Sequence, residues 1–243
     1  MTMSTIVSSV TNPWPDPSDD TSALSRLEKR LPTLLSLIAG MVDVIGFLTL
    51  GRIFTAHITG NLVVISAVLV LGGPLNLAQA LAIPVFIIAV ATIWLFAKAS
   101  SRRGPSLART LLLVQFILLS GVLIFSIITK PSASPHGLMA GIAIMIAVAA
   151  MACQYALLRL AIPHALSTAV MTGNLTNTVL SLLDTLAQTR PLTAGATERL
   201  RTSLHLLIGF LVGCLVAAAA VSMMGDWAWS FPSALAGLAV ALR

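Results

Sequence analysis

The chain has 243 residues, of which 57% are hydrophobic and 9% are charged, and its mean hydropathy is +0.98. An ordinary soluble domain carries about 25% charged residues, so this chain has too few to cover a water-facing surface, and it is too hydrophobic to be disordered. Its two cysteines exclude a disulfide scaffold. The excess of Lys and Arg, 14 against 8 Asp and Glu, indicates cytoplasmic loops of a membrane protein and not nucleic-acid binding.

Residues 1–30 are polar and contain three prolines among acidic residues. This composition predicts a disordered N-terminal tail. It does not fit a secretory signal, because no basic segment precedes an apolar run. A basic collar of Arg26, Lys29 and Arg30 ends the tail. We interpret the remainder as two membrane repeats, residues 31–130 and 131–243.

Apolar segments fill the rest of the chain, and about 20 such residues cross a hydrocarbon core of about 30 Å. In chain order they are 34–71, 77–97, 107–129, 137–158, 166–186, 203–224 and 231–242. A straight helix over 34–71 would be about 57 Å long, too long for one crossing, yet the segment leaves no loop for two. We expect interruptions near Gly51-Arg52 and at Thr59-Gly60-Asn61. The short last segment must recruit residues from 227 onward or tilt in a thinned bilayer.

An internal repeat links the two halves. The sequence Thr59-Gly60-Asn61 recurs as Thr172-Gly173-Asn174, and the separation between Thr59 and Thr172 is called the repeat offset below. Each copy begins an apolar segment that follows one containing polar residues, and each is followed by further helices. Self-similarity at a fixed offset is a signal about the fold.

The loop charges favour one of two topologies. If 34–71 and 137–186 each crossed twice, Lys and Arg would divide evenly between the two membrane faces. If each makes one net crossing, as a broken helix with a half-helix, only Lys130 lies opposite a face that holds Arg26, Lys29, Arg30, Lys98, Arg102, Arg103, Arg109, Arg190, Arg199, Arg201 and Arg243. The positive-inside rule favours the second arrangement. It predicts an all-α polytopic membrane protein with about six net crossings, as two inverted repeats of three, each opening with a broken helix.

Asp43 is the sharpest single candidate for function, because an acid near the middle of a membrane costs about 3 kcal/mol or more. It lies in the apolar segment from Ala39 to Phe47. One interpretation is a proton or cation site, or the partner of a polar substrate. The alternative is a structural ion pair with Arg52. Nearby His57 could shuttle protons, but the simpler interpretation is a packed, hydrogen-bonded histidine.

The two Thr-Gly-Asn sequences have two interpretations as well. Paired helix interruptions in matching positions of two halves point to a binding site at the membrane midplane, where Thr59, Gly60, Asn61, Thr172, Gly173 and Asn174 would supply hydroxyl, amide and backbone groups. They could instead serve helix packing, with glycine for close approach and asparagine for hydrogen bonds between helices. In the second repeat, Gln154, Tyr155 and Arg159 could bind a ligand opposite Asp43, although Arg159 could also be a snorkelling interfacial residue.

The residues also resemble a known family. Ala39-Gly40-x-x-Asp43-x-x-Gly46-Phe47, followed by Phe54-x-x-x-x-Thr59-Gly60-Asn61, is similar to the opening signature of the YoaK family, also called domain of unknown function 1275. Gln154 and Thr172-Gly173-Asn174 look like its second half, although the family tends to carry Gln-Asn-Ala where this chain has Gln154-Tyr155-Ala156. The resemblance covers roughly residues 30–225. It implies a small bacterial inner-membrane protein with about six transmembrane segments, and it implies no substrate.

We therefore expect a small secondary transporter or permease of the bacterial inner membrane, with a cytoplasmic N-terminus. Its partners would be the lipid bilayer, an unknown small molecule or ion, and a second copy of the chain. The alternative is a non-transporting scaffold, assembly factor or regulator. We find no metal cluster, cofactor motif or activated nucleophile in the sequence, and we expect that the protein is not an enzyme.

Overall fold

The computed structural model describes residues 18–72, 76–100, 104–162, 166–168, 171–187 and 194–242. Within them it forms α-helices and two short 3-10 turns, and no strand. The helices are α1 (Ser18–Thr49), α2 (Ile58–Leu71), α3 (Leu77–Ala99), α4 (Gly104–Thr129), α5 (Leu138–Leu160), α6 (Met171–Leu186), α7 (Ala194–Met224) and α8 (Ser230–Ala241). The 3-10 turns are Pro131–Ala133 and Gly225–Trp229.

The first helix begins inside the segment that we predicted to be a disordered tail. Its first residue is Ser18, so residues 18–30, which we predicted to be part of the tail, have a helical backbone, while residues 1–17 lie outside the described residues. Leu35, Ile38, Val42 and Ile45 are fully buried. Their spacing of three and four residues places them on one face of the helix, which is the face turned into the bundle.

Five helical stretches of the described chain are long and apolar enough to cross a membrane. They are Arg30–Thr49, Leu77–Ala99, Gly104–Thr129, Leu138–Leu160 and Leu200–Ala241, and the last includes α7, a 3-10 turn and α8. α3 is the least buried of these, and large side chains such as Ile87, Ile88 and Leu95 are exposed on it. Exposed apolar side chains of this kind face lipid in a bilayer. The chain is thus a multi-pass membrane protein.

Two half-length helices interrupt this pattern. α2 has 14 residues and α6 has 16, and their first residues, Ile58 and Met171, are separated by the repeat offset. The first interruption is the stretch 50–57, as expected near Gly51-Arg52. The interruption expected at Thr59-Gly60-Asn61 is wrong, because these residues form the first turn of α2. Thr172-Gly173-Asn174 likewise lies in the first turn of α6.

The closest helix crossing joins α1 to α7. A Cβ at Gly213 would collide with the Leu37 carbonyl, and one at Gly40 would collide with the Phe210 carbonyl. The Ser36 hydroxyl donates to the Leu206 carbonyl at 2.6 Å across the same crossing. Glycines at four-residue spacing allow backbones to approach closely in membranes. Gly209 and Gly213 of α7 have this spacing, and both lie against the backbone of α1.

Several connections meet at one end of the bundle. Asn76, which caps α3, places its Nδ2 atom 3.4 Å from the Gly51 carbonyl, just beyond the end of α1, and 3.4 Å from His136 Nδ1, just before α5. In the same connection between α4 and α5, the Ser132 hydroxyl donates to Asp226 at 2.6 Å, in the turn between α7 and α8. The end of α1 and the starts of α3, α5 and α8 therefore lie at the same end.

Candidate functional site

Asp43 holds the first break in place. The carboxylate is buried, and its Oδ1 atom accepts hydrogen bonds from the Thr55 amide at 2.8 Å, the Thr55 hydroxyl at 3.1 Å and the Ala56 amide at 2.6 Å. These donors lie 12 and 13 residues further along the chain. The stretch 50–57 must therefore turn back along α1. Because unpaired amides are costly within a membrane, the carboxylate allows the chain to be non-helical here.

The side chain of His57 pairs with this acid. Its Nδ1 atom lies 2.5 Å from Asp43 Oδ2, and the ring meets Phe210 of α7 edge-on at 5.2 Å. His57 precedes the first residue of α2 and makes no capping hydrogen bond with its side chain. The His57 side chain is 31% exposed, whereas that of Asp43 is 5% exposed. The pair thus joins a buried carboxylate to an imidazole that reaches the surface of the chain.

Tyr155 connects α5 to the first break. From α5 its hydroxyl donates to the Ala56 carbonyl at 2.8 Å, while Asp43 accepts from the amide of the same residue. Asp43 of α1 therefore binds the amide of Ala56, and Tyr155 of α5 binds the carbonyl of the same residue. Asp43, His57 and Tyr155, all three predicted as site residues, do come together here.

Asn61 and Gly60 both contact Phe54 of the first break. Asn61 is fully buried; its Oδ1 accepts from the Phe54 amide at 2.9 Å, and its Nδ2 donates to the Phe54 carbonyl at 2.8 Å. A Cβ at Gly60 would lie 3.0 Å from the Phe54 ring, so glycine leaves room for that ring. The ring in turn packs on Phe47 of α1 at 5.2 Å. Asn61 therefore binds the loop that precedes its own helix and makes no described bond to another helix.

The second break is the stretch between α5 and α6, of which residues 161–162 and 166–168 are described. It has a related set of hydrogen bonds, and none of those described involves an acid. Asn174 Nδ2 donates to the Ser167 carbonyl at 3.0 Å. Gln154 of α5 donates from Nε2 to the Thr168 hydroxyl at 3.3 Å and to the Leu35 carbonyl of α1 at 2.9 Å. Its Oε1 accepts from Gln115 of α4 at 2.8 Å. A neutral amide network thus links the second break to α1 and α4.

Corresponding residues of the two breaks are separated by the repeat offset. It relates Thr55 to Thr168, and it relates the Asn61–Phe54 contact to the Asn174–Ser167 contact. In both breaks an asparagine reaches back seven residues to a carbonyl. The breaks differ in the side chain that the preceding long helix supplies, which is an acid in the first and an amide in the second.

The remaining predicted site residues do not join either cluster. Thr59 and Thr172 are exposed, Gly173 is half-buried, and Arg159 is exposed near the end of α5. Arg52 is exposed, and among the described salt bridges Asp43 pairs with His57 and not with Arg52. The structural ion pair that we considered for Asp43 therefore has a different partner.

Three members of these clusters were not predicted from the sequence. Thr55 and Thr168 carry no local signal, but the repeat offset relates them as it relates the asparagines. Gln115 is a lone amide in the apolar segment 107–129, and a buried polar residue in such a segment is itself a signal. Its Oε1 atom is buried and has no partner among the described residues.

The described residues contain no group of three His, Cys, Asp or Glu side chains that could hold a metal ion. The chemistry that the first break does offer is acid–base chemistry. It has one carboxylate, one imidazole and backbone amides that depend on the charge of that carboxylate.

Comparison with known proteins agrees with this architecture. Over 35 residues the chain is 60% identical to UPF0700 transmembrane protein YoaK of Bacillus subtilis (strain 168). That stretch covers 14% of this chain and 16% of the relative. No solved structure matches the chain significantly. The family model described as "Protein of unknown function (DUF1275)" matches residues 31–242, so the resemblance is confirmed and the chain belongs to this family.

Proposed function

We propose that the protein is a small secondary transporter or permease in which protonation of Asp43 is coupled to movement of the first break. The substrate is an unknown small molecule or ion. A second copy of the chain would complete the assembly, since two-fold dimers are the commonest closed oligomers. The proposal includes no enzymatic step and no cofactor.

The path of α2 supports a re-entrant half-helix. It starts beside Asp43, six residues and about 9 Å before the end of α1, and it is about 21 Å long. Asn76 lies back at the end of α1, and the five residues from Leu71 to Asn76 span at most about 18 Å. α2 must therefore run toward that end and not away from it. In the second half, α6 packs along α7 as α2 packs along α3.

This path leads to a proposed topology of six net crossings by α1, α3, α4, α5, α7 and α8. Each half then crosses three times, which makes the halves inverted repeats. With the N-terminus in the cytoplasm of a bacterium, the basic collar and the connections after α3 and α6 share the inner face, as the positive-inside rule favours. Inverted repeats with half-helices are a known plan of secondary transporters.

The observation that carries the proposal is the Asp43–His57 pair at the start of a half-length helix. An ionisable residue within a membrane protein is a functional candidate because it is costly to keep there. The carboxylate binds three donors of the break, so loss of its charge weakens all three bonds at once. The half-exposed imidazole gives a proton a route to this carboxylate.

Transport can be tested without knowing the substrate. Membrane vesicles from cells that express the protein or an empty vector are energised, and accumulated metabolites are compared by mass spectrometry. We expect at least one metabolite whose level depends on the protein and collapses when a protonophore is added. Asp43→Asn should match the empty vector while remaining folded in the membrane.

Asp184→Asn is the matched control, because Asp184 is an exposed acid on α6 outside both clusters. It should transport like the parent protein. If Asp43→Asn transports as well as the parent, the Asp43 mechanism is wrong. If no metabolite depends on the parent protein, transport itself is wrong.

One observation favours the second candidate, a non-transporting scaffold or regulator. The polar side chains of Asp43, Asn61 and Gln154 all bind the protein's own backbone. Groups used in this way stabilise the breaks and need no ligand. For this candidate, Asp43→Asn would lower stability and would leave every metabolite unchanged.

A further inference from the structure

A cleft lies beside the first break, and Asp43 is not among its lining residues. It has a volume of about 480 Å³ and is lined by Phe47, Leu48, Gly51, Arg52, Pro135 and His136. Small-molecule sites typically have volumes of about 300–1,000 Å³. Neither Thr-Gly-Asn sequence is among the lining residues, so this cleft is separate from the midplane site considered above.

The polar part of the cleft is basic. Arg52 and His136 are both exposed, and no acidic residue lines the cleft. Among the described residues, the Arg52 guanidinium has no hydrogen-bond or ion-pair partner. Arg52 also adopts a left-handed backbone conformation with φ of 61°, which is uncommon for a residue other than glycine. Strained residues of this kind persist where the surroundings fix them and concentrate at functional sites.

The surroundings do fix this corner. Gly51, with φ of 85°, packs so closely that a Cβ on it would lie 2.7 Å from Asn76 Nδ2 and from the Pro135 carbonyl. Asn76 Nδ2 also lies 3.4 Å from His136 Nδ1, which leaves the other ring nitrogen of His136 to a ligand. The opposite part of the cleft is apolar, since it is formed by Phe47, Leu48 and Pro135.

We propose that this cleft binds an oxyanion, a carboxylate or a phosphate, that carries an apolar group. Arg52 and His136 would hold the oxyanion, because a guanidinium fork matches the geometry of both anions. Phe47 and Leu48 would contact the apolar group. This chemistry fits a soluble anion and also the headgroup of an anionic lipid.

The cleft is mechanically connected to the first break. Gly51 and Arg52 belong to the same connection between α1 and α2 as Thr55, Ala56 and His57, and Phe47 packs on Phe54 at 5.2 Å. A shift of Arg52 on binding an anion is therefore transmitted through the backbone to the segment that Asp43 binds. Where the anion is a soluble molecule, the inference rests on the proposed transport function and names its substrate class.

Binding can be measured on the purified full chain without any transport. Benzoate is the soluble probe, and its neutral analogue benzamide is the control, both at constant ionic strength. The lipid probe is phosphatidylglycerol in nanodiscs of phosphatidylcholine. Thermal unfolding reports binding, because a ligand of the folded state raises the unfolding temperature by mass action.

We expect benzoate to raise the unfolding temperature saturably and benzamide to leave it unchanged. Arg52→Gln should weaken benzoate binding about tenfold or more, since it removes a charge-assisted contact. Arg52→Lys, which keeps the charge but not the fork, should weaken it less. Arg109→Gln, an exposed arginine of α4 outside the cleft, is the matched control and should bind like the parent.

Stabilisation by phosphatidylglycerol alone, lost in Arg52→Gln, would support the oxyanion site and assign it to lipid. Stabilisation by neither probe, or stabilisation that Arg52→Gln and His136→Gln both leave intact, would overturn the proposal. Because binding is measured apart from transport, a protein that binds benzoate but moves no metabolite would contradict only the proposed function.

Discussion

The two breaks are built alike and charged differently. In each, an asparagine in the first turn of a half-helix binds a carbonyl seven residues earlier, and a side chain of the preceding long helix binds a threonine. In the first break that side chain is Asp43, paired with His57. In the second it is Gln154, paired with Gln115.

The difference teaches that charge is not needed to make such a break. Gln154 binds Thr168 and the Leu35 carbonyl with neutral groups, at lower desolvation cost than a carboxylate in the same membrane. An acid at the first break therefore calls for an explanation beyond folding. Proton coupling supplies one, and each change below weakens one break while leaving the other intact.

The largest effect is expected at the acid. Asp43→Leu leaves the Thr55 and Ala56 amides unpaired and His57 without its partner, so the free energy of unfolding should fall by about 3–5 kcal/mol. Gln154→Leu removes only neutral bonds and should cost about 1–3 kcal/mol. Reversible unfolding in mixed micelles measures both. Equal losses for the two variants would contradict the claim that the breaks differ.

Replacing the asparagines should lower the free energy of unfolding in the same order, more at the first break than at the second, but by smaller amounts. Asn61→Ala removes two hydrogen bonds to Phe54 and should cost about 2 kcal/mol, whereas Asn174→Ala removes one bond to Ser167 and should cost about 1 kcal/mol. The same unfolding assay measures both variants. The exposed Asn177 of α6 is the control, and Asn177→Ala should change stability by less than about 0.5 kcal/mol.

Tyr155 should have the smallest effect. Tyr155→Phe keeps the ring and removes one bond, the donation to the Ala56 carbonyl, at a cost of about 1 kcal/mol. Amide hydrogen exchange should rise in peptides that cover 50–57 and stay constant in those that cover the second break. An equal rise in both would show that Tyr155 supports the whole bundle and not the first break.

The sequence was informative about the fold because membrane helices are constrained by length and composition. Apolar segments of membrane-spanning length predicted the spanning helices, and the repeat offset relates the first residues of α2 and α6. The exact place of the interruption was not predictable, because Thr-Gly-Asn fits the first turn of a helix as well as a break. The side chain of Asn61 decides between them by binding back to Phe54.

The site was predictable as a set of residues but not as a set of pairs. Asp43, His57, Tyr155 and Gln154 were all candidates, yet the residue considered as an ion-pair partner for Asp43 was Arg52. The choice of His57 depends on a loop that turns back along α1, and neither spacing nor composition encodes that turn. Arg52 and His136 meet at a cleft only because three connections share one end of the bundle.

Hydrogen exchange across a pH change tests the central claim most directly, that the first break responds to a proton and the second does not. After correction for intrinsic exchange rates, protection of peptides covering 50–57 should fall as the pH is lowered, because a protonated Asp43 is a weaker acceptor for the Thr55 and Ala56 amides. Peptides that start at residue 166 and cover 166–168, the residues that bind Gln154 and Asn174, should show no such change, and Asp43→Asn should remove the pH dependence. An equal response of both breaks, or a pH response that survives in Asp43→Asn, would contradict the account.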